Sequence, residues 1–119
     1  MAAIFVKGSG AEGRMIPVSA ADHQDGTNGA YTIDFTATQA GVYMLIAAGV
    51  CTNSGYYVNN PTVTDGSLDA TFSILNSVQS NAQGITKAFV CTLQAGGRIQ
   101  CAIRFSGYAT RAYRILQIG

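Results

Sequence analysis

Residues Ala40-Gly41-Val42-Tyr43-Met44-Leu45-Ile46-Ala47-Ala48-Gly49-Val50-Cys51 run for twelve positions with no charge, and the Tyr43 hydroxyl is their one polar side-chain group. The other strand-like stretches of the chain alternate apolar with polar residues. A strand that is apolar on both faces has to be covered on both faces. A single 119-residue sandwich covers only one face of each sheet. The economical cover for the second face is another copy of the chain. The segment therefore predicts an obligate oligomer of small β-domains suited to binding or structure.

Composition points the same way. Hydrophobic residues make up 48% of the chain and mean hydropathy is +0.21, while charged residues reach only 11%, against about a quarter in an ordinary globular domain. So little charge implies less water-facing surface than the size suggests. The length fits one domain over residues 1–119. No apolar run approaches the ~20 residues of a bilayer-spanning helix. Met1–Lys7 carries no basic leader and no long apolar stretch. No secretory signal is read there, and the expected setting is a virion assembled in the cytoplasm.

The net charge of +1 argues against nonspecific nucleic-acid binding. Its distribution is uneven. Residues 1–70 hold all six acids against Lys7 and Arg14, a net of −4, and residues 71–119 hold five basic residues and no acid, a net of +5. Opposite halves of this kind can pair within a fold or across a subunit contact. No Lys/Arg cluster interleaves with aromatics, so no nucleic-acid partner is expected.

Three cysteines without a signal peptide do not make a disulfide framework, and none has a C-x-x-C neighbour for a metal. Cys91 is in phase with Phe89 and Leu93, and Cys101 with Ile99, Ile103 and Phe105. Both are expected to be reduced fillers of an apolar face. A cross-strand bridge is the alternative if a turn centred on Gly96 sets them opposite each other.

Period-two patterning recurs along the chain and no helical periodicity does. Strands are predicted over Tyr31–Thr36, Leu68–Val78, Ala88–Leu93, Arg98–Phe105 and Ala112–Ile118. Shorter edge strands are predicted near Ile4–Lys7 and Met15–Ser19, where Pro17 removes a ladder donor. Gln94-Ala95-Gly96-Gly97 reads as a hairpin turn between two of the strands. Further turns are marked at Gly8–Gly10, Asp25-Gly26, Asn28-Gly29, Asn53–Gly55, Asn59–Pro61, Asp65-Gly66 and Asn81–Gly84. About eight to ten short strands at this spacing define an all-β, two-sheet antiparallel jelly-roll sandwich.

Phe35-Thr36-Ala37-Thr38-Gln39-Ala40-Gly41-Val42-Tyr43 resembles the F-x-x-x-x-x-G-x-Y signature of the tumour-necrosis-factor and complement-head jelly rolls. Leu93–Ile99 resembles that family's L-x-x-G-D-x-V hairpin, with Gly97 at the acidic position. Phe105-Ser106-Gly107 and Ala112–Leu116 resemble its closing segment. The resemblance spans roughly Tyr31 to Ile118 and implies a homotrimer around a threefold axis. Residues Tyr43, Leu45, Ile46, Ile115, Leu116 and Ile118 are then candidates for the trimer interface.

The chain offers little for catalysis. His23, its only histidine, sits in the polar turn Ala21–Gly26, and no second histidine completes a zinc site. The cysteines point away from loops, where a base would have to activate them. Asp22/Asp25 and Asp65/Asp69 are spaced as turn and cap residues, and no calcium loop or phosphate-binding glycine loop is present. No enzyme activity, cofactor or metal is expected. Adjacent Tyr56 and Tyr57 among Asn, Ser and Gly have the composition of a contact loop. Tyr56, Tyr57, Asn59 and Asn60 are candidate ligand-binding residues, although either tyrosine could instead pack beneath the loop. Tyr108 and Arg111 form a second candidate loop.

The expected function is a non-enzymatic trimeric module of a phage or prophage particle, such as a head-decoration, fibre or host-adhesion component. Its partners would be itself, a larger virion assembly, or a cell-surface glycan. A cytokine-like or lectin-like cell-surface binding domain is the alternative.

Overall fold

Among the described residues, four of the six strand pairings involve one 24-residue strand, Ala82–Phe105. The structure, a computed structural model, describes residues 16–17, 29–52, 56–79, 82–105 and 109–119. Among these lie seven strands and no helix: β1 (Ile16–Pro17), β2 (Gly29–Thr36), β3 (Gly41–Cys51), β4 (Tyr57–Val58), β5 (Thr62–Gln79), β6 (Ala82–Phe105) and β7 (Ala109–Gln117). All pairings are antiparallel. They form one sheet in the order β1-β7-β3-β6-β2, with β4 and β5 also paired to β6. The all-β antiparallel reading holds. The sandwich is built from a single sheet curled over on itself.

The curl follows a crease that the glycines make possible. Along one edge of β6, residues 98–105 pair with β2 and residues 83–93 with β3. Between them lies the Ala37–Ala40 connection, tied to the crease by Ala37 N–H to Gly97 O and Gly96 N–H to Ala37 O, both 2.8 Å. Along the other edge β5 bends at the same level. Its register jumps from Thr64↔Arg98 to Gly66↔Leu93, and Asp65 between them takes φ 53°. Gly96 takes φ 84°, a conformation that costs glycine nothing.

The predicted Gln94–Gly97 hairpin is therefore corrected. Glycine at this point bends one long strand instead of reversing it, because partners on both edges continue across the bend. Ala88–Leu93 and Arg98–Phe105 are parts of β6 and do not pair with each other. Cys91 lies opposite Tyr43 and Leu68, and Cys101 opposite Ile33. All three cysteines are free and buried. The Asp65-Gly66 turn signal likewise marks the bend inside β5. Gly84, expected in a turn, lies within β6.

Creasing brings the two layers face to face. Phe35 of β2 meets Tyr43 of β3 with ring centroids 5.4 Å apart, and Tyr31 of β2 meets Tyr113 of β7 at 5.8 Å. The core between the layers holds Ile33, Ile99, Ile103 and Phe105 from one side. From the other it holds Tyr43, Leu45, Phe89, Leu93 and Ile115. At Gly49 the layers approach so closely that a Cβ would stand 2.3 Å from the Phe105 ring. Gly49→Ala should therefore lower unfolding free energy by about 1–3 kcal/mol through overpacking, measured by urea titration. An unchanged midpoint would contradict this packing.

The edge strand expected near Met15–Ser19 is present at Ile16–Pro17, pairing with β7 at the sheet margin. The strand expected at Ile4–Lys7, the turns at Gly8–Gly10, Asp25-Gly26 and Asn53–Gly55, His23 with Asp22, and Tyr108 lie outside the described residues.

Candidate functional site

Strand β3 is apolar along both of its faces. Its burial alternates strictly over most of its length. Tyr43, Leu45, Ala47, Gly49 and Cys51 are buried, while Val42, Met44, Ile46 and Ala48 are half-buried and Val50 is 41% exposed. The first set faces the layer carrying β2 and the second faces outward. The neighbours on both sides extend the outward surface. Ala88 and Val90 of β6 and Ala112 and Leu116 of β7 stand beside β3 residues in register. Phe72 of β5, opposite Ala88, is 61% exposed and is the most exposed of the large hydrophobic residues described. The outcome is a wide apolar sheet face with no second layer among the described residues.

The six residues expected at a subunit contact divide between the two faces. Tyr43, Leu45 and Ile115 are at most 1% exposed and belong to the chain's own core. Tyr43 also donates its hydroxyl to the Gln39 carbonyl at 2.6 Å. Core packing of the single chain engages all three. Ile46 lies half-buried on the outward face, Leu116 has the same parity in register with Met44 but is buried at 9% exposure, and Ile118, half-buried, follows the end of β7.

The tyrosine loop also divides. Tyr56 stacks on Phe105, with centroids 6.4 Å apart and planes 7° apart, and is half-buried against the core. Tyr57 starts β4, is 36% exposed and pairs with Arg104. Asn59 and Asn60 present exposed side chains, while the Asn59 backbone donates to Ala102 O and accepts the Cys101 thiol at 3.3 Å. The surface part of this candidate is therefore Tyr57, Asn59 and Asn60.

Arg111 does not sit in a loop. It belongs to β7, is 7% exposed, and lies over the Tyr31 ring at 5.0 Å from the centroid. The Tyr31 and Tyr113 hydroxyls are 3.1 Å apart. This cluster joins β2 to β7, with Arg111 buried against the Tyr31 ring. Burial, aided by the Tyr31 hydroxyl, pushes the Tyr113 phenol up to about 12.

The Cys91 and Cys101 thiols are poor nucleophiles at neutral pH. Burial pushes Cys91 up to about 11, with the Asp69 carboxylate adding to it, and burial does the same to Cys101. An ordinary thiol ionises near 9.0, so above that pH the unfolded chain loses protons that the folded chain retains. Stability should fall between about pH 9 and pH 11, by up to roughly 1.4 kcal/mol per pH unit for each thiol. Urea midpoints from pH 8 to 10.5 test this, and Cys91→Ala should flatten the slope. A flat wild-type profile would contradict it.

Among the described residues, no group of three or more His, Cys, Asp or Glu could hold a metal ion. The ion pair of Asp34 with Arg98 (2.6 and 2.8 Å) is exposed. It lies between paired strands, holds the Asp34 carboxyl below its usual range, and contributes little to stability. Asp69 accepts from Thr92 and Ser67 at 2.5 and 2.7 Å, which also lowers its pKa. Comparison with protein-family models, characterised proteins and solved structures finds no match to this chain.

Sequence reasoning missed Phe72 as a surface residue. The signal was present in Ala70-Thr71-Phe72-Ser73, where an aromatic stands alone among small residues in a strand segment without charge.

Proposed function

We propose that the chain is a non-enzymatic, self-assembling β-module serving as a structural or binding component of a phage or prophage particle. The observation that carries self-assembly is the outward face of β3, whose apolar residues continue onto β5, β6 and β7. A broad apolar sheet face with no second layer among the described residues is the feature expected of a contact surface. The low charge and the Gly- and Asn-rich turns support the particle setting. The resemblance would make the assembly threefold, whereas the row pattern of the outward face favours pairs.

If folding is coupled to assembly, the melting temperature must rise with protein concentration, because association favours the native state. A melting temperature independent of concentration over a hundredfold range would contradict self-assembly.

Exposed Tyr57 beside Asn59 and Asn60 supports a second reading, a lectin-like domain that attaches to a cell-surface glycan. Under either reading this loop is the contact with the outside. Tyr57→Ala with Asn60→Ala should reduce retention on glycan-coated beads at least tenfold and leave the melting temperature unchanged. Full retention of the double variant would remove the loop from the account.

A further inference from the structure

Resting on the self-assembly proposed above, the pattern of side chains across the outward face specifies how two copies would meet. Strand pairing sets its residues in rows. One row reads Arg114, Ile46, Ala88, Phe72 from β7 through β3 and β6 to β5. The next reads Leu116, only 9% exposed in the single chain, then Met44, Val90 and Ala70. In each row a large side chain stands where its mirror position holds a small one or one of matching character.

We propose that two copies of the chain pack outward face to outward face about a twofold axis that runs parallel to the strands between β3 and β6. Such an axis lays each row over its own reverse. Ile46 of one copy then sits over Ala88 of the other, Leu116 over Ala70, and Met44 over Val90. Phe72, 61% exposed in the single chain, comes over the exposed Arg114 of the other copy, where a guanidinium stacks well on an aromatic face. Large meets small at Ile46 over Ala88 and at Leu116 over Ala70, which lets those positions interdigitate at interior density.

Charge favours the same arrangement. Arg114 is the one charged residue in the two rows. Two sheet faces stacked with this axis hold the paired Arg114 side chains about 14 Å apart laterally, three strand spacings, so like charges do not meet. Aligned sheets cross at about 30°, which displaces the outermost positions by only about one residue.

Area is also adequate. Four strands wide and about eight residues long, the face covers roughly 500 Å² per copy, or about 1,000 Å² in the pair, at the threshold of specific interfaces. Side-chain relief raises the accessible area above this flat footprint.

The test uses single-cysteine surface variants, since the three native thiols are buried. Phe72→Cys chain mixed with Arg114→Cys chain should cross-link to twice the chain mass with a short bis-maleimide, and either variant alone should cross-link at least tenfold less. Phe72→Ala should raise the dimer dissociation constant at least tenfold while its circular dichroism matches wild type. An assembled wild type without the mixed cross-link would overturn the twofold contact and leave self-assembly standing. Three chains per particle would do the same. A monomeric wild type would overturn both.

Discussion

Leu45→Asp should leave the chain unfolded at any concentration. Leu45 is fully buried between the two layers, paired with Phe89 on one side and Ile115 on the other. The substitution removes a large apolar side chain and places a carboxylate inside the hydrophobic core. Losing the burial alone costs roughly 1.5–3 kcal/mol, and the desolvated carboxylate adds several more even if it protonates. The sum is on the order of 5 kcal/mol or above, comparable to the whole stability of a domain this size. Circular dichroism should show loss of strand signal, and a cooperative thermal transition near that of wild type would contradict the placement of Leu45.

One residue further along, Ile46→Asp should give the opposite phenotype, a folded chain that does not assemble. Ile46 is half-buried on the outward face, beside Ala88 and Arg114. In the isolated chain the new carboxylate reaches water and lies next to a guanidinium, so the strand signal should remain. In a face-to-face pair it would be buried against Ala88 of the other copy, twice per assembly. A penalty of even 2 kcal/mol at each position weakens association about a thousandfold. Light scattering should report the mass of one chain with a native spectrum. Assembly persisting in this variant would move the contact off the outward face. Two adjacent residues of similar hydrophobicity thus separate folding from assembly.

That separation could not be read from the chain. The Ala40–Cys51 segment announced that both faces of a strand needed cover, and both faces are indeed apolar. A uniformly apolar strand carries no mark of which face is inner. Tyr43, Leu45 and Ile115 therefore looked as plausible for a subunit contact as Ile46, Leu116 and Ile118. Only the register with β6 and β7 assigns them. The strands themselves were legible because alternation survives at Tyr31–Thr36 and Arg98–Phe105.

Gln94–Gly97 misled for a physical reason. Two glycines license a reversal and a sharp bend equally, and the choice rests with partners remote in sequence, Ala37 and Asp65. Arg111 looked like a loop residue because Ser, Gly and Thr precede it. The strand nevertheless begins at Ala109, and a tyrosine eighty positions earlier receives the guanidinium. Contacts of that span leave no local signature.

The most direct test of the outward face as an interface is the mass of the wild-type chain in solution. Sedimentation equilibrium at micromolar concentration should fit about 25 kDa, twice the 12.4 kDa of the single chain. The value should fall toward one chain on dilution. A fit at 12.4 kDa up to the highest soluble concentration would contradict the account, since the apolar face of β3 would then stand without a second copy against it.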